Sequence, residues 1–288
     1  MHSSVLPTAP ALPGHPAAAN APDSSTQPTA LRSHANPLAS CQRLRARSHY
    51  LAPSSGDLRY PGWPDRPVTP RDRTICQQLQ SHVGAAGYPC VMARSVFNRE
   101  TFRLAVYGGL GSAGNAELLC HDLYEFCAEF AAPVGPGVSF LACFDGEAPA
   151  DELAFEALMW AQLRDLHAID KRFFPWDAAV GANPESPNFS FSAGGRGFFL
   201  IGMHARASRL SRRTPMPVIV FNLHAQFAEL RSSGKFNGIR DTVQSRDVQW
   251  QGSINPMAAD FGARSEAAQY SGRAVAGDWS CPFKAGRA

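Results

Sequence analysis

Apolar residues along this chain recur with two different periods, and the switches between them mark its elements. The stretch TICQQLQSHVGA (74–85) spaces its apolar side chains along one face of a helix, with Thr74 in a capping position. NAELLCHDLYEFCAEFA (115–131) sets Leu118, Leu119, Leu123, Phe126, Cys127 and Phe130 on one stripe, and ADELAFEALMWAQLRDLHAID (150–170) is the longest such pattern. FNGIRDTVQSRDVQW (236–250) is a further helical candidate. Shorter runs read as strands: FRLAVYGGL (102–110), GVSFLACFD (137–145) and MPVIVFNLH (216–224). YPCVMARSVF (88–97) is apolar and partly β-branched, and is expected to enter the first strand. FSFSAGGRGFFLIGMH (189–204) predicts a hairpin turning on its Gly-Gly pair. Strands and helices mix without a repeating βαβ unit. The expected fold is therefore α+β: one domain with a mixed, largely antiparallel sheet flanked by helices.

Residues 1–70 break this pattern. They hold about half of the chain's 23 prolines, many Ala and Ser, and little periodicity. Such a segment buries too little surface to offset its ordering entropy, so a disordered N-terminal tail is expected, with the folded domain at 71–288.

Composition narrows the function classes. The 288 residues are 44% hydrophobic and 18% charged, with net charge +3, too mild to argue for nucleic acid. No apolar run approaches the ~20 residues needed to span a bilayer. The seven cysteines form no CxxC pair, and the opening MHSSVLPTAPALPGHP does not read as a secretory signal. Reduced thiols and a cytoplasmic location are the expectation. P-loop, GxSxG and HExxH patterns are absent, and the glycine-rich GGLGSAG (108–114), with no matching ribose acid, reads as a plain strand-to-helix turn. Cys120 and His121 fit the core stripe of their helix better than a metal site.

Two histidines stand out. His204 follows FFLIGM and His224 follows VIVFNL, each ending an apolar strand. If the two strand ends converge, the imidazoles share one site; the bland alternative is two solvated strand-end histidines. Neutral imidazole is a common ligand for zinc and haem iron. After His204 come four arginines in eight residues. Read as a helix, Arg206, Arg209 and Arg213 lie on one side, with Arg212 close by. Guanidinium forks suit carboxylates, including the two propionates of a haem. The chain lacks CxxCH, so a haem would be held non-covalently.

These residues also carry a resemblance. YPC (88–90), FSFSAGGRGFFLIGMHARASRLSRR (189–213), VIVFNLHAQFAELRSSGKF (218–236) and QGSINPMAADFGARSEAAQYSGR (251–273) resemble the YqcI/YcgG family, over roughly 72–284. Within it the chain looks like the haem-dependent guanidine N-hydroxylases. Ala268 departs from the pattern, which leads one to expect arginine there. The resemblance implies a monooxygenase using haem b, O2 and an electron-donating reductase to hydroxylate a guanidino nitrogen of arginine or a related small molecule. A non-catalytic haem sensor or carrier is the alternative. His204 is the first candidate iron ligand, with Arg206, Arg209 and Arg213 for the propionates. His224 comes next as ligand or acid–base group, then Cys90 as thiolate. Asp260 and Glu266 are candidate carboxylates for a cationic substrate, and Asn222 and Asn255 candidate hydrogen-bonding groups. No nucleic-acid or membrane partner is expected; a homodimer is compatible with this reading.

Overall fold

Five runs rich in β-branched and aromatic residues pair into one sheet. They are β3 (Phe102–Tyr107), β4 (Ser139–Phe144), β5 (Phe191–Ala193), β6 (Arg196–Met203) and β7 (Val218–Leu223), in spatial order β3-β4-β7-β6-β5. The computed structural model describes residues 35–132 and 137–285. β3 and β4 are parallel, so they need a crossover, and α4 (Asn115–Glu129) supplies it. The other neighbours are antiparallel. The β5–β6 hairpin turns on Gly194 and Gly195, whose φ of 60° and 69° lie where only glycine is unstrained. The α+β architecture and the mixed sheet are those the periodicity predicts.

Both faces of the central strands are covered, so alternate residues serve different layers. On one face Phe140, Ala142, Phe198, Leu200, Ile219 and Phe221 pack with α4 and α5 (Glu152–Asp170). Helix α5 starts where the Asp151 side chain accepts the Ala154 N–H at 2.7 Å, and it buries Phe155, Met159, Trp160 and Leu163 fully. On the other face Leu141, Cys143, Met203 and Val218 meet α2 (Pro70–Gly84) and α3 (Val91–Asn98). α6 (His224–Ser232) and α7 (Phe236–Gln251) follow β7, with α7 against α3, and α8 (Ala267–Tyr270) lies on β6. No helix among the described residues is long and apolar enough to cross a membrane.

Three expectations change. The cap of α2 is Thr69 rather than Thr74, in a capping box with Asp72 and with Pro70 opening the helix. YPCVMARSVF forms helix α3 with Cys90 at its N-cap, not a strand. Met92 and Val96 lie four residues apart, so one helical face covers the apolar side and packing overrides the β-branched valines.

The domain also begins before residue 71. α1 (Gln42–Arg47), the hairpin β1 (Ala52–Ser54)–β2 (Asp57–Arg59) and the link between them carry Leu44, Tyr50, Leu51 and Leu58 into the core, and Tyr60 is buried with them. Leu51 exchanges both backbone hydrogen bonds with Leu104, at 2.8 and 3.0 Å, and so covers the β3 edge. The buried Asp122 anchors the segment, accepting the Ser48 hydroxyl at 2.6 Å, the His49 N–H at 3.0 Å and the Tyr107 hydroxyl at 3.0 Å. The proline-rich composition hid these short elements because their stability comes from docking, not from local pattern. The part of the expected tail up to residue 34 lies outside the described residues.

Gly202 shows how tight the α5 face is. A Cβ there would sit 2.6 Å from the Phe155 ring and 2.8 Å from the Tyr270 carbonyl. Gly202→Ala should therefore cost about 1–3 kcal/mol of stability, seen as a lower denaturant midpoint at unchanged m-value. An unchanged midpoint would show that this face can yield.

Candidate functional site

The second face of the sheet is not fully closed. Between it and the helices α2, α3, α6 and α7 lies an apolar cavity of about 280 Å³, near the lower end of ordinary ligand pockets. Its floor is Leu141, Phe199, Ile201 and Val220, the strand positions that alternate away from α5. Leu79 and Val83 form one wall, Val96 and Phe97 another. Phe236, Ile239, Arg240, Val243 and Gln244 come from α7, at the i, i+3, i+4, i+7, i+8 spacing of one helical face.

Few polar groups reach this space. Asn222 accepts the Ser139 hydroxyl at 2.7 Å and donates to the Phe199 carbonyl at 3.3 Å, which fixes its amide in the floor. Gln226 accepts the Val138 N–H at 2.9 Å. Tyr88 donates to the Ser211 carbonyl at 3.2 Å. At the margin Arg240 pairs with Asp260 at 2.9 Å and Asp241 at 3.1 Å.

Among the described residues Cys90 is the only cysteine or histidine lining the cavity. As the N-cap of α3 it sits where backbone N–H groups point out of the helix, and its Sγ accepts the Ala93 N–H at 3.4 Å. Burial pushes the thiol up from its ordinary value, while the Ala93 and Met92 N–H groups and the Arg212 charge oppose that. A sulfur so placed is a soft donor for a metal, with N–H groups at hand for negative charge.

The histidines do not converge. β6 and β7 are antiparallel, with Phe198 opposite Leu223 and Met203 opposite Val218. Their C-terminal ends therefore lie at opposite ends of the ladder, roughly 17 Å apart by strand rise. His204 is fully buried and stacks on Phe155, ring centroids 4.3 Å apart, and burial lowers its pKa. His224 opens α6 and meets Phe261 at 4.4 Å; burial and then Arg231 push it down to about 4. Neither ring lines the cavity, although both His204 ring nitrogens and the His224 Nε2 lack partners among the described residues.

The arginines form no helical stripe. Only Leu210–Arg212 make a short 3-10 turn, because the His204 N–H bonds the Arg212 carbonyl at 3.0 Å and closes a loop. Arg209 is buried against Asp247, Ser253 Oγ at 3.0 Å and the Ser253 carbonyl at 2.8 Å. Arg212 is buried beneath α8, donating to the Tyr270 and Gly202 carbonyls, and burial lowers it to about 10. Arg206 and Arg213 are exposed, Arg213 bonding the Ala207 carbonyl. No common clamp for an anionic cofactor edge results.

Among the other expected residues, Asn222 reaches the cavity and Asp260 touches it only through Arg240. Asn255 is used locally, its Oδ1 accepting the Met257 N–H at 3.0 Å. Glu266 is buried on the α5 side, bonded by the Ser190 hydroxyl with Tyr270 nearby, and burial raises it to about 7. Ala268 is buried in α8. Sequence reasoning passed over Tyr88, Gln226 and Arg240. The i, i+4 pairing of Met92 and Val96 after Pro89 was the signal that could have exposed α3 and its capping cysteine.

A family model described as YqcI/YcgG family matches residues 79–284. The chain belongs to the YqcI/YcgG family. That match takes in α3, β4, β6, β7, α6 and α7, and so the cavity and all its lining residues. A Streptomyces lavendulae protein named "Putative N(omega)-hydroxy-L-arginine synthase DcsA" is 24% identical over 201 residues, 66% of this chain and 73% of the relative. No solved structure matches.

Glu266 gives a pH test. An unfolded glutamate loses its proton near ~4.3, whereas the folded one holds it to about pH 7. Its stabilising effect is full below the unfolded value and lost as pH rises through about 7. His224 acts oppositely, losing stability as pH falls from its ordinary value toward about 4. Glu266→Gln should remove on the order of 3 kcal/mol of the decline between about pH 4.5 and 7.5. Urea midpoints of both proteins across that range check this; parallel curves would contradict it.

Proposed function

We propose that this chain is an oxidoreductase that N-hydroxylates a guanidino group of a small, amino-acid-like molecule in the cavity between the sheet and α3 and α7. The observation that carries the reading is the position of Cys90, among the described residues the one thiol or imidazole in the wall of an apolar cavity that lies within the family-matched region. The S. lavendulae relative, named for N(omega)-hydroxy-L-arginine synthesis, supports the substrate class.

The chemistry of the lining suits a non-covalent haem b, and the cavity of about 280 Å³ would have to widen to admit one. The walls are apolar, the donor is a single soft sulfur, and α3 directs N–H groups at it. Cys90 is the residue that would hold the iron, in place of His204 or His224. A haem there supplies the oxidising power to place one oxygen of O2 on nitrogen, the other leaving as water with two electrons and two protons from outside. The chain's own part is orientation and dryness. The apolar floor and walls exclude water, and the helix-terminal N–H groups offset part of the burial that otherwise holds the sulfur as thiol. Asn222, held by Ser139 and Phe199, keeps one amide N–H and an oxygen lone pair for a substrate. Gln226 and Gln244 offer neutral acceptors to guanidino N–H groups. Among the described residues no carboxylate lines the cavity, so recognition rests on these amides, Arg240 at the margin being paired with Asp260 and Asp241.

The test is spectroscopic. Protein supplied with haemin should show a Soret band, and its ferrous–CO form should absorb at the longer wavelength of thiolate ligation. Cys90→Ser should lose that signature, while His204→Ala should keep it. With reductant, O2 and arginine, mass spectrometry should find a product one oxygen heavier, reduced to background by Cys90→Ser. Absence of the Soret band, or an unaltered Cys90→Ser spectrum, refutes this reading. A haem complex without product favours a carrier or sensor.

A further inference from the structure

Arg94, Arg99 and Arg246 line one open cleft on the outer side of α3 and α7, completed by Val91, Ser95 and Asn98. Among the described residues no carboxylate lines it. Among the described residues none of these three guanidinium groups has an ion-pair partner, whereas Arg71, Arg209 and Arg240 do. Like charges that converge without counter-charge leave a positive potential that an anionic surface relieves.

Position gives this charge its meaning. The helices that bear the three arginines also wall the cavity: α3 brings Cys90 and Val96 to it, α7 brings Ile239 and Val243. Arg94 lies one helical turn beyond Cys90, roughly 6 Å along the axis, and Arg99 roughly 13 Å. A molecule seated in the cleft therefore rests on the back of the wall that holds the thiol.

We propose that this cleft is the docking surface for an acidic, ferredoxin-type electron-transfer protein, an inference that rests on the redox reading of the cavity. The cleft supplies charge complementarity and short range, which steer encounter and orient the partner. Each encounter would pass one electron from the partner's reduced iron–sulfur cluster, which becomes oxidised, to a redox centre that Cys90 would hold. No bond forms or breaks. Nucleic acid is disfavoured, because the chain's net charge is only +3 and the cleft is confined to two helices.

The experiment titrates the purified full chain, with and without haemin, with an oxidised plant-type [2Fe–2S] ferredoxin by calorimetry. Binding should be measurable at ~20 mM salt and weaken about tenfold or more by ~200 mM. The double variant Arg94→Glu/Arg246→Glu should weaken it by about tenfold or more, whereas Arg206→Glu, at an exposed arginine elsewhere, should not. Unchanged thermal midpoints show that the variants fold. No binding at low salt, equal binding by the double variant, or comparable binding of a short random DNA duplex each overturns the proposal. Because the haem-free chain is titrated too, failed haem uptake bears on the cavity reading alone, and failed docking leaves the Soret band in place.

Discussion

The antiparallel register of β6 against β7, with Phe199 opposite Asn222, governs the rest of the molecule. Side chains alternate across a strand, so this pairing sends Phe198 and Leu200 toward α5 and Phe199 and Ile201 toward the cavity. It places Asn222 in the cavity floor beside Ser139 of β4. It also carries His204 and His224 to opposite ends of the ladder. A slip of one residue would exchange both faces at once, and the aromatic layer under α5 forbids it.

The two faces differ in how completely they are filled. On the α5 side Phe155, Trp160, Phe198, Phe221 and Tyr270 interlock, and the glycine at 202 leaves room for Phe155 and the Tyr270 carbonyl. On the other side shorter aliphatic residues face the stripe of α7, and their volumes do not fill the space between layers. A cavity results where one wall is the rigid sheet and another is the first turn of α3. Such a site takes precision from the sheet and chemistry from a helix end.

Buried polar groups hold the pieces in place. Asp122 ties the segment before α2 to α4 and β3 through Ser48, His49 and Tyr107. Asp247 holds Arg209, fixing the loop after β6 to α7. Arg212 stitches that loop to α8 through carbonyl oxygens alone. Two of the four arginines after His204 thus act as struts. A charge buried with satisfied hydrogen bonds costs desolvation, and removing its partner costs far more, so such struts fix a single arrangement.

The amino-acid sequence by itself determined most elements and the fold class. Periods of 3.6 and 2 are local properties, and they located β3, β4, β6, β7, α4, α5 and α7. The distinctive blocks around His204 and His224 likewise marked the family, which the match over residues 79–284 bears out. What the sequence did not determine was which residues meet. Cys90 read as a strand residue because its neighbours are apolar and β-branched; only the sheet beneath and α7 above make that run a helix with a capping thiol. The two histidines looked alike because each ends an apolar strand; only strand direction separates them. The early segment looked too rich in proline to fold, yet Leu51 completes a sheet edge and Asp122 receives Ser48. In each case the deciding energy comes from contacts between distant parts of the chain, which local pattern does not encode.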